Sequence, residues 1–566
     1  MIISSIHIKG FRNFSDALVN FDNSSLIIGA NDVGKSNMLH ALRLLLDKSL
    51  SDLDIEPSEL DFHLAPDGAS EELQITIHFS QIIEDSVISI LKGYISDGGE
   101  AYLRYEAKKS ELEYKLYLGH DLEGMEVINS RFYLKYMSLR FIHSQRDLHK
   151  FIQREKRQLL NIAQKNLTDD QAEEDADLLD EISSDLVGIN EKITQLYYVN
   201  NATEDVNKEL KKLAHHYSDY AVQLDSGAIE VNQFIEKLQL GARSNGQALM
   251  LGGDGRNNQI LLALWKAKSE RENDLSSEVV FYVVEEPEAH LHPHQQRKLA
   301  EYLIEDLPGQ SIISTHSPQI AANFSPNSII RIFRDGVASV AASSGCSDCI
   351  ASSWDDMGYR ISVLPSEVFF SNAVFLVEGP SEMLFYRELS KQLDIDLDFL
   401  NISLLSVDGV AFGVYIAILE SLQIPWVMRT DNDVSKVSKK ELWQYAGINR
   451  CLKIAGEDLF EHKNEIFDSA YVVESGEWEA VSDLVNEKGI FISKIDLEVD
   501  LVEEFVDSVL MSTGKKSAKL AVKYLQNKKA IRMRNLLKDE RKNMTKLRDG
   551  ELAKPLHYIK SIVLSA

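Results

Sequence analysis

A glycine-rich loop near the start of the chain has the composition and spacing of a phosphate-binding loop. Residues 29–36 read GANDVGKS and fit the pattern G-x-x-x-x-G-K-[ST] at every fixed position. Gly29 and Gly34 allow a tight turn whose backbone N–H groups surround a phosphate, while Lys35 would reach the β- and γ-phosphates and Ser36 would hold magnesium. The loop therefore predicts an ATP site whose contacts come from Gly29, Asn31, Gly34, Lys35, Ser36 and Asn37.

An acidic pair follows a long apolar run in the middle of the chain. Residues 279–284 are all apolar, as in a strand that is buried on both faces, and Glu285 and Glu286 come directly after them. Carboxylates at the C-terminal end of such a strand lie where open α/β sheets bind ligands. We expect Glu285 to hold magnesium and Glu286 to polarise the attacking water. His316, which ends the segment SIISTH, is expected to sense the γ-phosphate, with a capping or core histidine as the alternative.

Two further carboxylate pairs suggest a second site. The apolar run AVFLV leads into Glu378, and Glu382 follows one helical turn later. The segment IPWVMRT leads into Asp431 and Asp433, whose side chains would point the same way from an extended backbone. Carboxylates alone suit Mg²⁺ or Mn²⁺ better than zinc. Two such ions about 4 Å apart can hold the attacking and leaving oxygens of a phosphodiester, although acidic pairs at strand ends are also common without this function.

These sites require an α/β fold with several parts. We predict an ATPase head in residues 1–146 and 247–365, interrupted by a helical dimerisation insertion at 147–246, and a second α/β domain at 366–566. The insertion has few glycines, no proline, and apolar residues at helical spacing. Its segment 169–185 holds nine acidic and no basic residues, which indicates a protein contact or a solvated linker.

The first 340 residues resemble the ABC-type ATPase heads of the RecF and SMC class. The similarity lies in the opening IHIKGFRNFSD, the phosphate loop, the EEPEAHLHP strand end and the THSP loop. In that class the signature loop of one head completes the ATP site of another. The matching stretch here, LMLGGDGRNN, lacks the usual serine, but the resemblance implies that Gly253 and Gly255 contact ATP across a homodimer interface.

The segments VEGPSE and DND resemble the Toprim fold, and the complete chain resembles the OLD (overcoming lysogenisation defect) family of ATP-linked nucleases. That family includes the nuclease subunits of Gabija-type anti-phage systems. The resemblance implies ATP and Mg²⁺ or Mn²⁺ as cofactors, DNA as substrate and a possible helicase or reverse transcriptase as partner. It also implies that Glu479 is a further metal ligand and that Lys554 stabilises the transition-state phosphate or the leaving group. An exposed helix carboxylate and a surface lysine are the alternatives for these two residues.

Charge and composition complete the prediction. The net charge is −28, but residues 511–566 contain fifteen Lys and Arg against four Asp and Glu, as expected for a DNA-binding surface. The sequence shows no membrane-spanning run and no cleavable leader, and its three cysteines fit a reducing compartment, so we expect a soluble cytoplasmic protein. We predict an ATP-regulated, metal-dependent DNA endonuclease that forms at least a dimer. The alternatives are a DNA-bound ATPase motor or clamp with a structural Toprim-like domain, and a nuclease whose head only senses nucleotide.

Overall fold

The computed structural model describes residues 1–66, 68–142, 148–213, 242–244, 247–249, 260, 263–264, 267, 278–289, 291–307, 309–346, 366–407, 409, 411–438 and 440–565. The strands in this part of the chain are β1 (Ile2–Phe11), β2 (Phe14–Asn20), β3 (Ser24–Ile28), β4 (Leu64–Ala65), β5 (Gly68–Ala69), β6 (Glu72–Ser80), β7 (Ala101–Lys108), β8 (Glu113–Gly119), β9 (Glu126–Ile128), β10 (Met137–Ile142), β11 (Ala242–Ser244), β12 (Gln247–Leu249), β13 (Val279–Glu285), β14 (Ser311–Ser314), β15 (Ile329–Asp335), β16 (Ala338–Ala341), β17 (Ala373–Val377), β18 (Ile402–Ser406), β19 (Trp426–Thr430), β20 (Ser435–Lys436), β21 (Trp443–Gln444) and β22 (Ile490–Ile492).

The α-helices in the same ranges are α1 (Lys35–Leu46), α2 (Asp85–Ile90), α3 (Leu148–Lys165), α4 (Asp169–Thr194), α5 (Tyr197–Leu213), α6 (Pro293–Glu305), α7 (Pro318–Ala321), α8 (Pro380–Gln392), α9 (Phe412–Ser421), α10 (Ala446–Ala455), α11 (Ser469–Glu474), α12 (Glu477–Asn486), α13 (Leu497–Glu504), α14 (Val506–Thr513), α15 (Ala518–Gln526), α16 (Lys529–Glu540) and α17 (Lys554–Ser565). None of the helices within these ranges has the length and hydropathy needed to cross a membrane.

The chain forms two compact units. The first comprises Met1–His143, Glu278–Glu288 and Pro293–Ala566, and the second comprises Ser144–Ser277 with Ala289–His292. The predicted insertion at 147–246 falls within the second unit, which contains α3, α4 and α5. The acidic segment lies on α4, where most of its side chains are exposed. Thr168 begins this helix with a capping box, in which its side chain and that of Gln171 bond the backbone reciprocally.

Two six-stranded sheets form the first part of the first unit. One is antiparallel, in the order β2-β1-β6-β7-β8-β9, and the other has the order β10-β13-β14-β3-β15-β16. All neighbours in the second sheet are parallel except β15 and β16. Helix α1 follows β3, and its leucines at helical spacing, Leu39, Leu42, Leu45 and Leu46, are fully buried. The carboxyl ends of β13, β14 and β3 consequently meet at one edge of this sheet.

A four-stranded parallel sheet forms the second part of the first unit. Its order is β18-β17-β19-β22, and β17 is buried along its whole length, as the apolar run AVFLV predicts. The C-terminal helices pack on this domain, since Leu525 of α15 and Met533 of α16 share a hydrophobic core with Phe375 of β17. The carboxyl ends of β17, β19 and β22 lie at one edge.

Arg331 joins the two parts of the first unit. It lies on β15 opposite Ile28, the last residue of β3, and its Nη1 atom donates to the carbonyl oxygens of Leu422 (3.0 Å) and Gln423 (2.8 Å). Its partners are neutral, and burial lowers the pKa of Arg331 to about 10. The strand beside the phosphate loop is thereby bonded to the turn that precedes β19.

Candidate functional site

The phosphate loop has the geometry that its two glycines predict. Gly29 has φ +151°, and a Cβ atom there would lie 2.2 Å from the carbonyl oxygen of Ile332. Gly34 has φ +98° and precedes the first turn of α1, where a Cβ atom would lie 1.9 Å from the Asn13 amide nitrogen. Both backbone angles favour glycine, and at Gly29 the Ile332 backbone oxygen also leaves no room for a Cβ atom.

Lys35 lies folded over this loop. Its ammonium donates to the carbonyl oxygens of Gly29 at 2.9 Å and Ala30 at 2.7 Å. Burial lowers the pKa of Lys35 to about 8, against the opposing effect of nearby carboxylates, of which Glu286 contributes most. The partners of this desolvated ammonium are neutral carbonyl oxygens. A bound phosphate would add the negative charge that stabilises the ammonium, so Lys35 is a suitable phosphate ligand.

The structure brings the two predicted magnesium ligands of this site together. The Ser36 hydroxyl donates a hydrogen bond to Oε1 of Glu285, which is buried at the end of β13. A hydroxyl beside a carboxylate, next to a phosphate loop, fits the donor set of a nucleotide-bound Mg²⁺. The two asparagines that were predicted to contact ATP have different surroundings. Asn31 is exposed in the loop, whereas the side-chain amide of Asn37 donates a hydrogen bond to Oδ1 of Asn13 at 2.8 Å.

Glu286 and His316 face each other at the same sheet edge. His316 Nε2 lies 3.5 Å from Glu286 Oε1, and burial, followed by the charge of Lys35, lowers the pKa of His316. Glu286 has φ +47°, a conformation that non-glycine residues rarely adopt and that is concentrated at functional sites. Its backbone N–H donates to the Ser314 carbonyl oxygen at 2.9 Å, which fixes this conformation. The structure thus brings together the two residues that the sequence analysis assigned to water and to the γ-phosphate.

The sequence analysis missed Glu288 in this region. Its Oε1 atom accepts a hydrogen bond from the His316 backbone N–H at 2.6 Å, and burial raises the pKa of the Glu288 carboxyl. Glu288 therefore fixes the loop that carries His316. The signal was available, because the segment EEPE places a third carboxylate two residues after Glu286. The predicted ATP contacts Gly253 and Gly255 lie outside the described residues.

Glu378 is the centre of the second cluster of carboxylates. It follows β17, and its Oε1 atom accepts hydrogen bonds from the Asp431 backbone N–H at 2.8 Å and from the Thr430 hydroxyl. The same oxygen accepts a hydrogen bond from Arg450 Nη1 at 2.8 Å, and Arg450 Nη2 lies 3.1 Å from Asp433 Oδ2. The ends of β17 and β19 thus bring the predicted carboxylates Glu378, Asp431 and Asp433 to one place.

Asp431 and Glu382 lie deeper in this cluster. Burial, followed by the charges of Glu378 and Glu382, raises the pKa of Asp431 to about 8. Burial also raises the pKa of Glu382, and among the neighbouring charges that of Glu498 contributes most. Mutually repelling carboxylates in a desolvated position are what a divalent cation stabilises, so the donor set fits Mg²⁺ or Mn²⁺. The described residues contain no preformed group of three metal-ligating side chains, and the cations of Arg450 and Lys529 lie among these carboxylates.

Besides Arg450, three residues of this cluster were missed in the sequence. Lys529 begins α16, and its ammonium lies 3.2 Å from Glu498 Oε2 and 3.8 Å from Asp431 Oδ2. Burial acts to lower the pKa of Lys529, but the negative charges of Glu498 and Asp431 outweigh burial and raise this pKa. The charge of Asp496 contributes in the same direction. Asp496 and Glu498 follow β22 in the segment IFISKIDLE. The other carboxylates were predicted because they follow apolar strands. Asp496 and Glu498 follow the apolar strand β22 in the same way, so the sequence contained the pattern that could have identified them.

Two predicted members are not brought to the cluster. Glu479 is exposed in the first turn of α12, and no contact with the cluster is found for it among the described residues. The Lys554 ammonium pairs with Glu551 at 2.6 Å, one turn away on the surface. The lysine beside the carboxylates is Lys529, which comes from a different helix of the same basic region.

The basic region begins at the carboxylate cluster. Helix α16 begins at Lys529 and exposes Arg534 and Lys538. The Tyr524 ring in α15 contacts two cations, with the Arg532 guanidinium 4.0 Å and the Lys515 ammonium 4.8 Å from the ring centre. Exposed cations that continue outward from a cluster of carboxylates form a surface suited to a polyanion.

Comparison with known proteins identifies related families and chains. Residues 1–321 match the family described as AAA ATPase domain, and residues 369–433 match the family described as overcoming lysogenization defect protein-like, TOPRIM domain. The chain is 27% identical over 576 residues to "Endonuclease GajA" of Bacillus cereus, with 95% of each chain covered. It is 22% identical over 459 residues to "OLD nuclease" of Thermus scotoductus, with 78% of this chain and 83% of the relative covered.

Among solved structures, the chain is similar to an SMC head bound to the C-terminal winged-helix domain of ScpA, with 17% identity and a TM-score of 0.39. This match covers 60% of this chain and 97% of that chain. The SMC head domain from Thermotoga maritima is 14% identical with a TM-score of 0.31, and the match covers 60% and 98% of the two chains.

Proposed function

Because the chain belongs to the AAA ATPase domain family and joins that domain to an OLD-like TOPRIM domain, we propose that it is an ATP-regulated, divalent-metal-dependent DNA endonuclease. Two relatives that are named as nucleases match it over most of their length, and one of them is named as an endonuclease. The chemistry proposed is hydrolysis of a phosphodiester bond in DNA, as a nick or a double-strand cut.

The observation that carries this proposal is the convergence of carboxylates at one edge of the parallel sheet, where the basic helix α16 begins. Glu378, Glu382, Asp431 and Asp433 would hold the divalent ions. Bound there, the ions would activate water and neutralise charge on the scissile phosphate. Lys529, whose ammonium already lies among these carboxylates, would position the phosphate of the DNA backbone.

The first site would bind and hydrolyse ATP. Lys35 would bind the phosphates, and Ser36 with Glu285 would hold Mg²⁺. Glu286 would polarise the attacking water, and His316 would contact the terminal phosphate from the other side. Nothing in this arrangement requires the TOPRIM carboxylates, so the two reactions should depend on separate residues.

The proposal extends to assembly and setting. A homodimer or higher oligomer formed through the heads and the helical segment 147–246 would complete the ATP site with Gly253 and Gly255 of a second copy. The resemblance to the OLD family supports a role in anti-phage defence in the cytoplasm, with a helicase or reverse transcriptase as a possible partner protein.

Nicking of supercoiled plasmid DNA by the purified chain tests the central claim. We expect cleavage with Mg²⁺ or Mn²⁺, no cleavage with EDTA, and a loss of about 100- to 1000-fold on Asp431→Asn, because this carboxylate lies between the others. ATP hydrolysis by the same variant should equal that of the wild type.

Glu479→Gln is the matched control, because Glu479 is a carboxylate of the same domain that lies exposed outside the cluster. We expect it to nick DNA at the wild-type rate. Full nicking by an Asp431→Asn, Asp433→Asn double variant would refute the nuclease assignment and favour the motor or clamp.

A further inference from the structure

Arg450 occupies the space between two carboxylates that are proposed to hold a divalent ion. Its Nη1 atom donates to Glu378 Oε1 at 2.8 Å and to the Thr430 hydroxyl, and its Nη2 atom lies 3.1 Å from Asp433 Oδ2. The side chain is only 12% exposed. A single guanidinium therefore bridges the end of β17 and the loop after β19.

The helix that carries Arg450 is fixed against the same loop. The Gly447 backbone N–H donates to the Asp433 carbonyl oxygen at 2.9 Å, and a Cβ atom on Gly447 would lie 2.4 Å from the Asp431 carbonyl oxygen. Only glycine allows this approach of α10 to the backbone of the acidic triplet. Ile448 and Cys451 are fully buried on either side of Arg450. The backbone of Arg450 is therefore held rigidly, and only its side chain can move relative to the carboxylates.

The charge of Arg450 is permanent, because the guanidinium does not lose its proton in proteins. A divalent ion bound by Glu378 and Asp433 would need the same oxygen lone pairs and would be repelled by this charge. We propose that Arg450 is a positioning residue that acts as the internal counter-cation of the Glu378–Asp433 pair. It holds the two carboxylates in place and competes with the divalent ion for them, so that it weakens metal binding at this pair. The inference rests on the proposed metal site of the TOPRIM domain.

Direct measurement of metal affinity tests the competition without any cleavage assay. We expect isothermal titration of the nucleotide-free full chain with Mn²⁺ to give a dissociation constant at least about tenfold lower for Arg450→Gln than for the wild type, within the usual range of binding couplings. In EDTA the same variant should melt at a lower temperature, because two carboxylates lose their cation. Mn²⁺ should then raise its melting temperature by more than it raises that of the wild type.

Three comparisons assign the effect to this pair. Lys453→Gln removes a cation from the same helix, but Lys453 is exposed and one turn further on, so its Mn²⁺ affinity should stay within about twofold of the wild type. Adding Glu378→Gln to Arg450→Gln should abolish the gain, because one of the two competing carboxylates is then neutral. Arg450→Lys should give an intermediate affinity, since an ammonium cannot bridge both carboxylates with a planar fork.

Unchanged or weaker Mn²⁺ binding by folded Arg450→Gln would overturn the inference, as would an equal gain in Lys453→Gln. If Arg450→Gln does not fold, Arg450→Lys decides in its place, and an affinity no tighter than wild type contradicts the competition. A wild-type chain that binds no Mn²⁺ and cuts no DNA would instead overturn the proposed function itself.

Discussion

Lys529 gives the sharpest test of the second site, because the sequence had assigned its role to Lys554. Its ammonium lies 3.2 Å from Glu498 and 3.8 Å from Asp431. At an effective dielectric constant of about 20, each contact corresponds to about 5 kcal/mol of direct attraction. The Lys529 side chain is 43% exposed, so water screens much of this attraction, whereas Glu498 is fully buried. We place the cost of Lys529→Met at about 2 kcal/mol, between the values for exposed and buried pairs.

This cost corresponds to a fall of about 4–8 °C in the melting temperature of a domain of this size. Plasmid nicking by Lys529→Met should fall by about 100- to 1000-fold, because the cation proposed to position the phosphate of the DNA backbone is lost. ATP hydrolysis should not change. Lys554→Met is the matched control, since Lys554 is similarly exposed but pairs only with Glu551 on the surface, and it should retain nicking and melting temperature.

A double variant separates stability from catalysis. Lys529→Met combined with Glu498→Gln removes the buried charge together with its cation, so we expect most of the melting temperature to return while nicking stays low. Thermal unfolding and the nicking assay on the same samples measure both quantities. Normal nicking by Lys529→Met together with loss of nicking by Lys554→Met would refute the geometric assignment and restore the one made from sequence.

Three further results are expected. Lys35→Ala should abolish ATP binding in an equilibrium titration, whereas Glu286→Gln should bind ATP but release no phosphate, and normal phosphate release would remove Glu286 as the water-polarising residue. Burial raises the pKa of Glu504 to about 7, so the folded state binds a proton at this carboxyl more tightly than the unfolded state does. The stability of the folded state should therefore fall as the pH rises from about 4.5 to 7. Glu504→Gln should make the melting temperature depend less on pH in this range. Arg331→Met should abolish any effect of ATP on the nicking rate, and a persisting effect of wild-type size would show that coupling takes another route.

Most residues of both sites could be predicted from the sequence because they lie at the ends of apolar strands. Residues that directly follow apolar runs must emerge at the carboxyl edge of a parallel sheet, so Glu285 and Glu378 could be placed without knowledge of strand order. The phosphate loop needed only local geometry, and the structure shows the same left-handed glycines that the motif requires.

The residues that sequence analysis missed depend on contacts between distant segments. Strand β22 has only three residues, and its position beside β19 brings Asp496 and Glu498 to carboxylates about sixty positions earlier in the chain. Lys529 and Lys554 both begin helices in the basic region, so spacing could not distinguish them. Tertiary packing distinguishes them, because buried Met533 anchors α16 in the hydrophobic core next to the sheet edge.

The bonding of β15 to the turn before β19 would give ATP a physical route to the second site, if ATP regulates that site as proposed. Ile28 pairs with Arg331 and is followed directly by the phosphate loop, so a shift of that loop on nucleotide binding would act on β15. Arg331 would pass such a shift to the carbonyl oxygens of Leu422 and Gln423, to which it is hydrogen-bonded. Strand β19 begins three residues after Gln423 and ends at Thr430, next to Asp431. A buried guanidinium with only neutral partners costs solvation energy that a hydrophobic side chain would not. This cost is understandable if the contact couples the two sites, because its two strong hydrogen bonds hold the turn in one defined position relative to the phosphate loop.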